Sequence, residues 1–218
     1  MDLIYLDNNA TTPTLPAVWE AMRPYLSDVY GNPASAHRAG RRARQALEDA
    51  RERVAALLGA GPGDEVIFTS GGTEANNLAL FGLAGDPPGH IIASPIEHPS
   101  VAEPVRRLVE IGFEVDYLPV NRTGVVHIDA LDDLLRPETR LVTVMLANNE
   151  TGAMQPMADW LAEQPPVAFH CDAVQAVGRM WVDLGQLGVT SLSLSAHKFH
   201  GPRGVGALLL KRGTKLRP

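Results

Sequence analysis

The sequence predicts an α/β fold on a mainly parallel sheet, and three observations carry that expectation. Strand-like and helix-like runs alternate along the 218 residues, the pattern of a layered α/β domain. A glycine turn, Gly71-Gly72-Thr73, joins a strand to a helix. Residues with usable chemistry, His98, Asp172 and Lys198, fall just at or past strand ends, where such sheets carry their ligands.

Each element follows from local pattern. Residues 15–26 have helical spacing, with Thr14 as the cap and Pro16 in the first turn. Residues 35–58 read as a long helix rich in Ala and Arg, ending at Gly59. Residues 65–69 form a short strand, after which the glycine turn opens a helix over 74–83. Strands are expected at 90–93, 114–118, 141–146, 167–171, 191–195 and 205–210, with helices near 100–110, 129–135 and 157–162. Asp86-Pro87-Pro88-Gly89 and Gln164-Pro165-Pro166 read as turns. Beyond the last strand, residues 211–218 are basic and loop-like with no closing helix, an ending that looks cut.

Composition narrows the function classes. The chain is 45 % hydrophobic and 20 % charged, an ordinary globular balance. A net charge of −6 argues against a general nucleic-acid surface. Arg38, Arg41, Arg42 and Arg44 precede Glu48, Asp49 and Glu52 in one helix, which reads as a solvated face with local ion pairs. The single cysteine, Cys171, rules out an intrachain disulfide framework and suits a reducing cytoplasm. The start, Met1-Asp2-Leu3-Ile4-Tyr5-Leu6-Asp7, is too short and acidic for a signal peptide. No apolar run reaches membrane-spanning length. A cytoplasmic location without nucleic-acid or membrane partners is the expectation.

Several residue types point to one chemistry. A lysine at a strand end, such as Lys198, loses its proton more readily when desolvated and can then attack a carbonyl to form a Schiff base; an ordinary solvated loop lysine is the alternative. The Gly71-Gly72-Thr73 turn permits close backbone approach and aims free N–H groups at an anion, or it simply starts a helix. Asp172 and His170 alternate with Cys171, so the first two share a face and the thiol packs on the other. Asp172 can partner a protonated ring nitrogen or cap the next segment. His98 can stack on a flat ring and move protons, although a lone loop histidine is often bland. Asn148 and Asn149 can bond a ring hydroxyl or make a turn before Gly152. No HExxH or CxxC spacing occurs, so no metal site is expected. No Gly-x-Ser-x-Gly elbow supports a serine hydrolase.

Taken in order, seven segments resemble the cysteine desulfurases, the nitrogen-fixation-type branch of the class V pyridoxal-phosphate enzymes. They are Tyr5-Leu6-Asp7-Asn8-Asn9-Ala10-Thr11-Thr12, Gly31-Asn32-Pro33-Ala34-Ser35-Ala36-His37, Phe68-Thr69-Ser70-Gly71-Gly72-Thr73-Glu74, Glu97-His98-Pro99, Ala147-Asn148-Asn149-Glu150-Thr151-Gly152, Asp172-Ala173-Val174-Gln175-Ala176-Val177-Gly178 and Ser195-Ala196-His197-Lys198. The resemblance implies a fold-type I large domain: three layers around a mixed, mainly parallel sheet, with residues 31–218 binding the cofactor. It also implies that residues 1–30 pack on a small C-terminal domain missing from this chain.

By that resemblance Lys198 is the Schiff-base lysine of pyridoxal 5'-phosphate, and His98 stacks on the ring and assists proton transfer. Asp172 partners the ring nitrogen, and Gln175 and Asn149 contact the ring hydroxyl. Thr73, Ser195 and His197 bind phosphate, with Gly72 contributing backbone. The implied reaction converts L-cysteine to L-alanine and passes the sulfur to an enzyme cysteine as a persulfide, for a sulfur-acceptor or scaffold protein and iron–sulfur clusters. A homodimer is implied. The resemblance covers the N-terminal half of the family, so the persulfide cysteine is not Cys171. A class V aminotransferase or selenocysteine lyase, or a non-catalytic fragment or subunit needing a separate C-terminal half, are the alternatives.

Overall fold

The computed structural model describes residues 4–161 and 167–217. Seven strands make one sheet: β1 (Glu65–Thr69), β2 (Gly89–Ala93), β3 (Phe113–Tyr117), β4 (Thr139–Thr143), β5 (Ala168–Asp172), β6 (Ser191–Ser195) and β7 (Gly206–Leu210). Their spatial order is β1-β7-β6-β5-β4-β2-β3. β7 runs antiparallel to both its neighbours, and the remaining pairs are parallel. The mixed, mainly parallel sheet expected from the sequence is therefore present. The helices are α1 (Pro16–Ser27), α2 (Arg38–Leu57), α3 (Gly72–Ala84) and α4 (Pro99–Glu110), followed by the short α5 (Leu131–Leu134), α6 (Met157–Leu161) and α7 (Leu184–Leu187).

The two faces of the sheet differ in kind. On one, Phe169, Cys171, Leu192, Leu194 and Leu209 join Met157, Leu161 and Leu184 in the largest apolar cluster. On the other lie α3 and α4, with Leu80, Val105 and Leu108 packed on Ile91 and Leu141, and Ala75 and Ala79 on Leu208 and Leu210. α3 buries Gly72, Ala75, Asn76, Ala79 and Leu80 against the sheet, while Thr73, Glu74 and Phe81 are exposed. By contrast α1 buries no residue and α2 only Gly40.

Several boundaries and caps differ from expectation for local reasons. β4 starts at Thr139, before the expected 141. Its far end leaves the regular ladder, although Val144 N and Leu146 N still donate to His170 O and Asp172 O at 3.2 and 2.9 Å. Thr14 does not cap α1: the N-cap is Leu15 with no side-chain bond, and the Thr14 hydroxyl donates instead to Gly201 O at 3.2 Å. α2 begins at Arg38 because the ring of His37 accepts from Gly40 N. Helix 129–135 splits into a 3-10 turn, Ile128–Ala130, and α5. The unanticipated α7 is capped by Asp183, which accepts from Gln186 N, and closes at Gly188.

The ion pairs expected of the Arg-rich stretch are also different. Arg41 and Arg44 donate to the carbonyls of Ala36 and Pro33, and Glu48 pairs with Arg51 instead. Met1-Asp2-Leu3, Ala162, the turn at Gln164-Pro165-Pro166 and Pro218 lie outside the described residues.

Candidate active site

The parallel strands all deliver their C-terminal ends to one side, and the predicted residues are carried there. Gly72 and Thr73 follow β1, His98 follows β2, Asn149 follows β4, Asp172 ends β5, Ser195 ends β6, and His197 and Lys198 sit on the 3-10 turn Ala196–Lys198. All of them, with Gln175, line one cavity of about 270 Å³. Ala10, Ser100, Met145 and Val174 complete its wall.

The glycine turn approaches its neighbours closely. A Cβ on Gly72 would lie 2.7 Å from Val174 Cγ2 and 3.5 Å from Ser195 Cβ, and one on Gly206 only 2.6 Å from Gly71 C. Glycine at these positions lets the turn settle against β6 and β7. The first N–H groups of α3 have no preceding turn to bond. They are flanked in the cavity by the Thr73 and Ser195 hydroxyls and by His197. Glu74 stabilises the entry by accepting from Ser70 N and Ser70 Oγ at 2.7 and 2.5 Å, which holds its carboxyl below the ordinary value. Such a cradle suits a phosphate.

At the other end of the cavity lies a buried carboxylate. Asp172 is 4 % exposed. Its Oδ1 accepts from Val174 N at 2.9 Å and its Oδ2 from Asn76 Nδ2 at 2.7 Å, so it caps the following turn and presents a held acid to the cavity at once. Burial raises its pKa, against the opposing pull of Val174 N–H, Asn76, His98 and Lys198. A cationic ring N–H is the kind of partner that such a desolvated carboxylate lacks.

Lys198 shows the complementary shift. Burial first, then Arg179, lowers its pKa, which favours a nucleophilic amine. Its Nζ donates to Asn9 O, and Gln175 Nε2 donates to the same carbonyl at 2.9 Å. That bond fixes the Gln175 amide and leaves its Oε1 buried with no partner among the described residues. The segment carrying Asn9 is tied down by Arg179, whose Nη1 and Nη2 donate to Asn9 Oδ1 and Asn8 O at 2.7 and 2.8 Å. Thr12 N donates to His197 O at 2.8 Å. His197 Nδ1 lies 3.1 Å from Thr11 Oγ1.

The asparagine pair divides its work. Asn148 makes the turn, its Oδ1 accepting from Glu150 N and Thr151 N, both at 2.9 Å, while Asn149 lines the cavity. Cys171 lies on the opposite face from Asp172, fully buried, with burial first and then Asp172 and Glu97 pushing its thiol well up. Sequence reasoning missed Asn76 and Ser100. Asn76 stands four residues after Gly72 on the buried face of α3, and a fully buried amide there needs partners.

This fold and cavity define an α/β domain with a candidate site at the sheet's C-terminal edge. The chain belongs to the class V aminotransferase family, whose pattern matches residues 4–218. It is 49 % identical to the "Cysteine desulfurase IscS" of Dictyoglomus turgidum, over 99 % of this chain and 56 % of that enzyme. Among solved structures it superposes with a TM-score of 0.93 on a "NifS-like protein", at 42 % identity over 99 % of this chain and 60 % of the other. A structure titled "SspA in complex with cysteine" gives a TM-score of 0.93 at 39 % identity, over 99 % of this chain and 64 % of that one. The chain thus spans about half the length of the curated relatives it matches.

Proposed function

We propose that this cavity holds pyridoxal 5'-phosphate and that the chain is the cofactor-binding part of a cysteine desulfurase. One observation carries the reading: the buried Asp172 carboxyl and the partly buried Lys198 amine, their pKa values moved up and down by burial, line the same 270 Å³ cavity as the α3 cradle. When bound, the cofactor supplies an aldehyde carbon and an electron-withdrawing ring. Lys198 would hold it covalently and Asp172 would keep its ring nitrogen protonated. Gln175, through its unpaired Oε1, and Asn149 would bond its ring hydroxyl. Gly72, Thr73, Ser195 and His197 would bind its phosphate. His98 would lie over the ring and carry protons.

The proposed net reaction breaks the carbon–sulfur bond of L-cysteine, moves the sulfur to a thiol as a persulfide and leaves L-alanine. Cys171 is unsuited as that thiol, because its sulfur is buried and held protonated. The acceptor would be another cysteine and then a sulfur-acceptor or scaffold protein. A cytoplasmic homodimer is part of the same reading. The exposed Trp19, Tyr25, Leu26 and Tyr30 on and beside α1 would be covered by the small C-terminal domain expected to pack on residues 1–30.

The test is spectroscopic and then chemical. Incubation with pyridoxal 5'-phosphate should give a visible absorption band that Lys198→Ala abolishes; no band in the unsubstituted chain would refute cofactor binding. With L-cysteine and an added dithiol, the product should be L-alanine with sulfide. A keto acid in its place would instead establish an aminotransferase.

A further inference from the structure

We propose that Ser100 and Asn76 are positioning residues that keep the proton of the His98 imidazole on Nε2, so that the ring meets the cavity as a hydrogen donor. The inference rests on the cofactor-site reading for what that proton does; the tautomer itself belongs to the protein without any ligand.

The backbone decides first. His98 is the N-cap of α4, and its Nδ1 accepts from Ser100 N at 3.1 Å. A peptide N–H can only donate, so Nδ1 must offer its lone pair. The neutral ring then carries its hydrogen on Nε2.

A second donor reinforces the first. Ser100 Oγ lies 2.7 Å from the same Nδ1 and 2.9 Å from Asn76 Nδ2. The orientation of Asn76 is set from its other side. Its Oδ1 faces His170 Nε2 at 3.1 Å and Ser193 Oγ at 2.5 Å, while Nδ2 donates to Asp172 Oδ2 at 2.7 Å. This orientation gives Asp172 Oδ2 a donor beside the one Val174 N gives Oδ1, while Asn76 Oδ1 receives the histidine and serine hydrogens. Because Asn76 Nδ2 also donates to Ser100 Oγ, the Ser100 hydrogen is free to point at His98 Nδ1. A single chain of donors therefore runs from the acid that ends β5 to the imidazole that follows β2. With Nδ1 committed to α4, proton exchange with anything in the cavity runs through Nε2.

The chain labelled with 15N-histidine, without cofactor and near pH 8, tests this by imidazole NMR. His98→Gln assigns the His98 signals among the seven histidines. A pyridine-like Nδ1 and a pyrrole-like Nε2 are expected, with the opposite tautomer about tenfold less populated. A pyrrole-like Nδ1 would overturn the proposal from the unsubstituted chain alone. Ser100→Ala should shift the Nδ1 signal and raise the minor tautomer, and Ser100→Thr should restore both. A lower melting temperature in Ser100→Ala with unmoved ring signals would mean a merely structural hydroxyl, and would sink its part in the proposal. If instead the cofactor band is missing while the tautomer stands, the cofactor reading fails and this one survives.

Discussion

Strands β5 and β6 present the same alternating backbone to two opposite faces, and the faces are built on different physics. Toward α6 and α7 they offer Phe169, Cys171, Leu192 and Leu194 to an apolar cluster. Toward α3 they offer His170, Asp172, Ser191 and Ser193, each no more than 4 % exposed. The first face is held by area removed from water and by close packing, which tolerates substitutions of similar volume. The second is held by paired donors and acceptors centred on Asn76, with His170 Nδ1 2.8 Å from Ser191 Oγ at its inner end. Buried polar chains of this kind tolerate little, because each lost partner strands another group. The comparison explains why the candidate site lies on the α3 side: that side already holds its polar groups in place by hydrogen bonds.

The largest expected effect breaks the polar face at its centre. Asn76→Leu keeps the volume but strips partners from Asp172, His170, Ser193 and Ser100 at once. Urea unfolding should show a loss on the order of 4–6 kcal/mol, together with loss of the cofactor band. On the apolar face, Phe169→Ala is the matching test. Phe169 is 1 % exposed and stacks at a tilt on Trp160, 6.3 Å between ring centroids. Its removal should cost about 3–5 kcal/mol, while surviving folded protein keeps its cofactor band. An Asn76→Leu variant less affected than Phe169→Ala would mean that the polar face is held by packing after all.

The mainly parallel sheet and several residues of the cavity wall were legible in the sequence as local signals, while Gln175, Ser195 and His197 came in only through the family resemblance. Gly71-Gly72-Thr73 after a strand, Asp172 at a strand end and Lys198 past an alternating strand are short-range patterns. The serine alternation in β6 was legible as a strand, but not as a doubly buried one. What covers Ser191 and Ser193 is His170 and Asn76, the latter more than a hundred residues away in the chain. Distance along the chain also hid Asn76, 96 residues from Asp172, and Asn9, whose carbonyl meets Lys198 and Gln175 only after folding. Thr14 illustrates the reverse: a good local cap signal lost to a partner across the chain at Gly201.

The titrating groups sharpen the comparison at a smaller scale. Burial lowers the pKa of His170 from its ordinary 6.5 to about 3. Burial raises that of Glu97 from 4.5 to about 8, in part against bonds from Ser94 Oγ and Met145 N. The unfolded chain therefore binds more protons at His170 below pH 6.5. That contribution to stability is complete above 6.5 and is lost as the pH falls toward 3. Glu97 acts with the opposite sign. The folded state binds more protons, so its contribution is complete below 4.5 and is lost as the pH rises through 8. Between 4.5 and 6.5 the two oppose each other. The raised pKa of Asp172 has the same sign as that of Glu97. Stability measured by urea titration should then fall between pH 6.5 and 8, with a slope of about 1 kcal/mol per pH unit. Glu97→Gln should make that limb shallower. An unchanged slope would remove Glu97 from the account.

The smallest effect separates the faces most cleanly, because it alters one atom next to the site without touching it. Cys171 lies between His170 and Asp172 in the chain, yet its side chain belongs wholly to the apolar cluster. Cys171→Ala should cost only about 1 kcal/mol. Cys171→Ser should cost more, about 1–3 kcal/mol, since it places a hydroxyl where the surroundings are apolar. Both variants should bind pyridoxal 5'-phosphate as the unsubstituted chain does. In the native state, thiol-directed reagents should leave Cys171 unmodified until the protein unfolds. Rapid modification of the folded chain, or a Cys171→Ala variant that loses the cofactor band, would show that the apolar face reaches the cavity. The division of labour between the two faces of β5 would then fail at the residue where it is drawn most tightly.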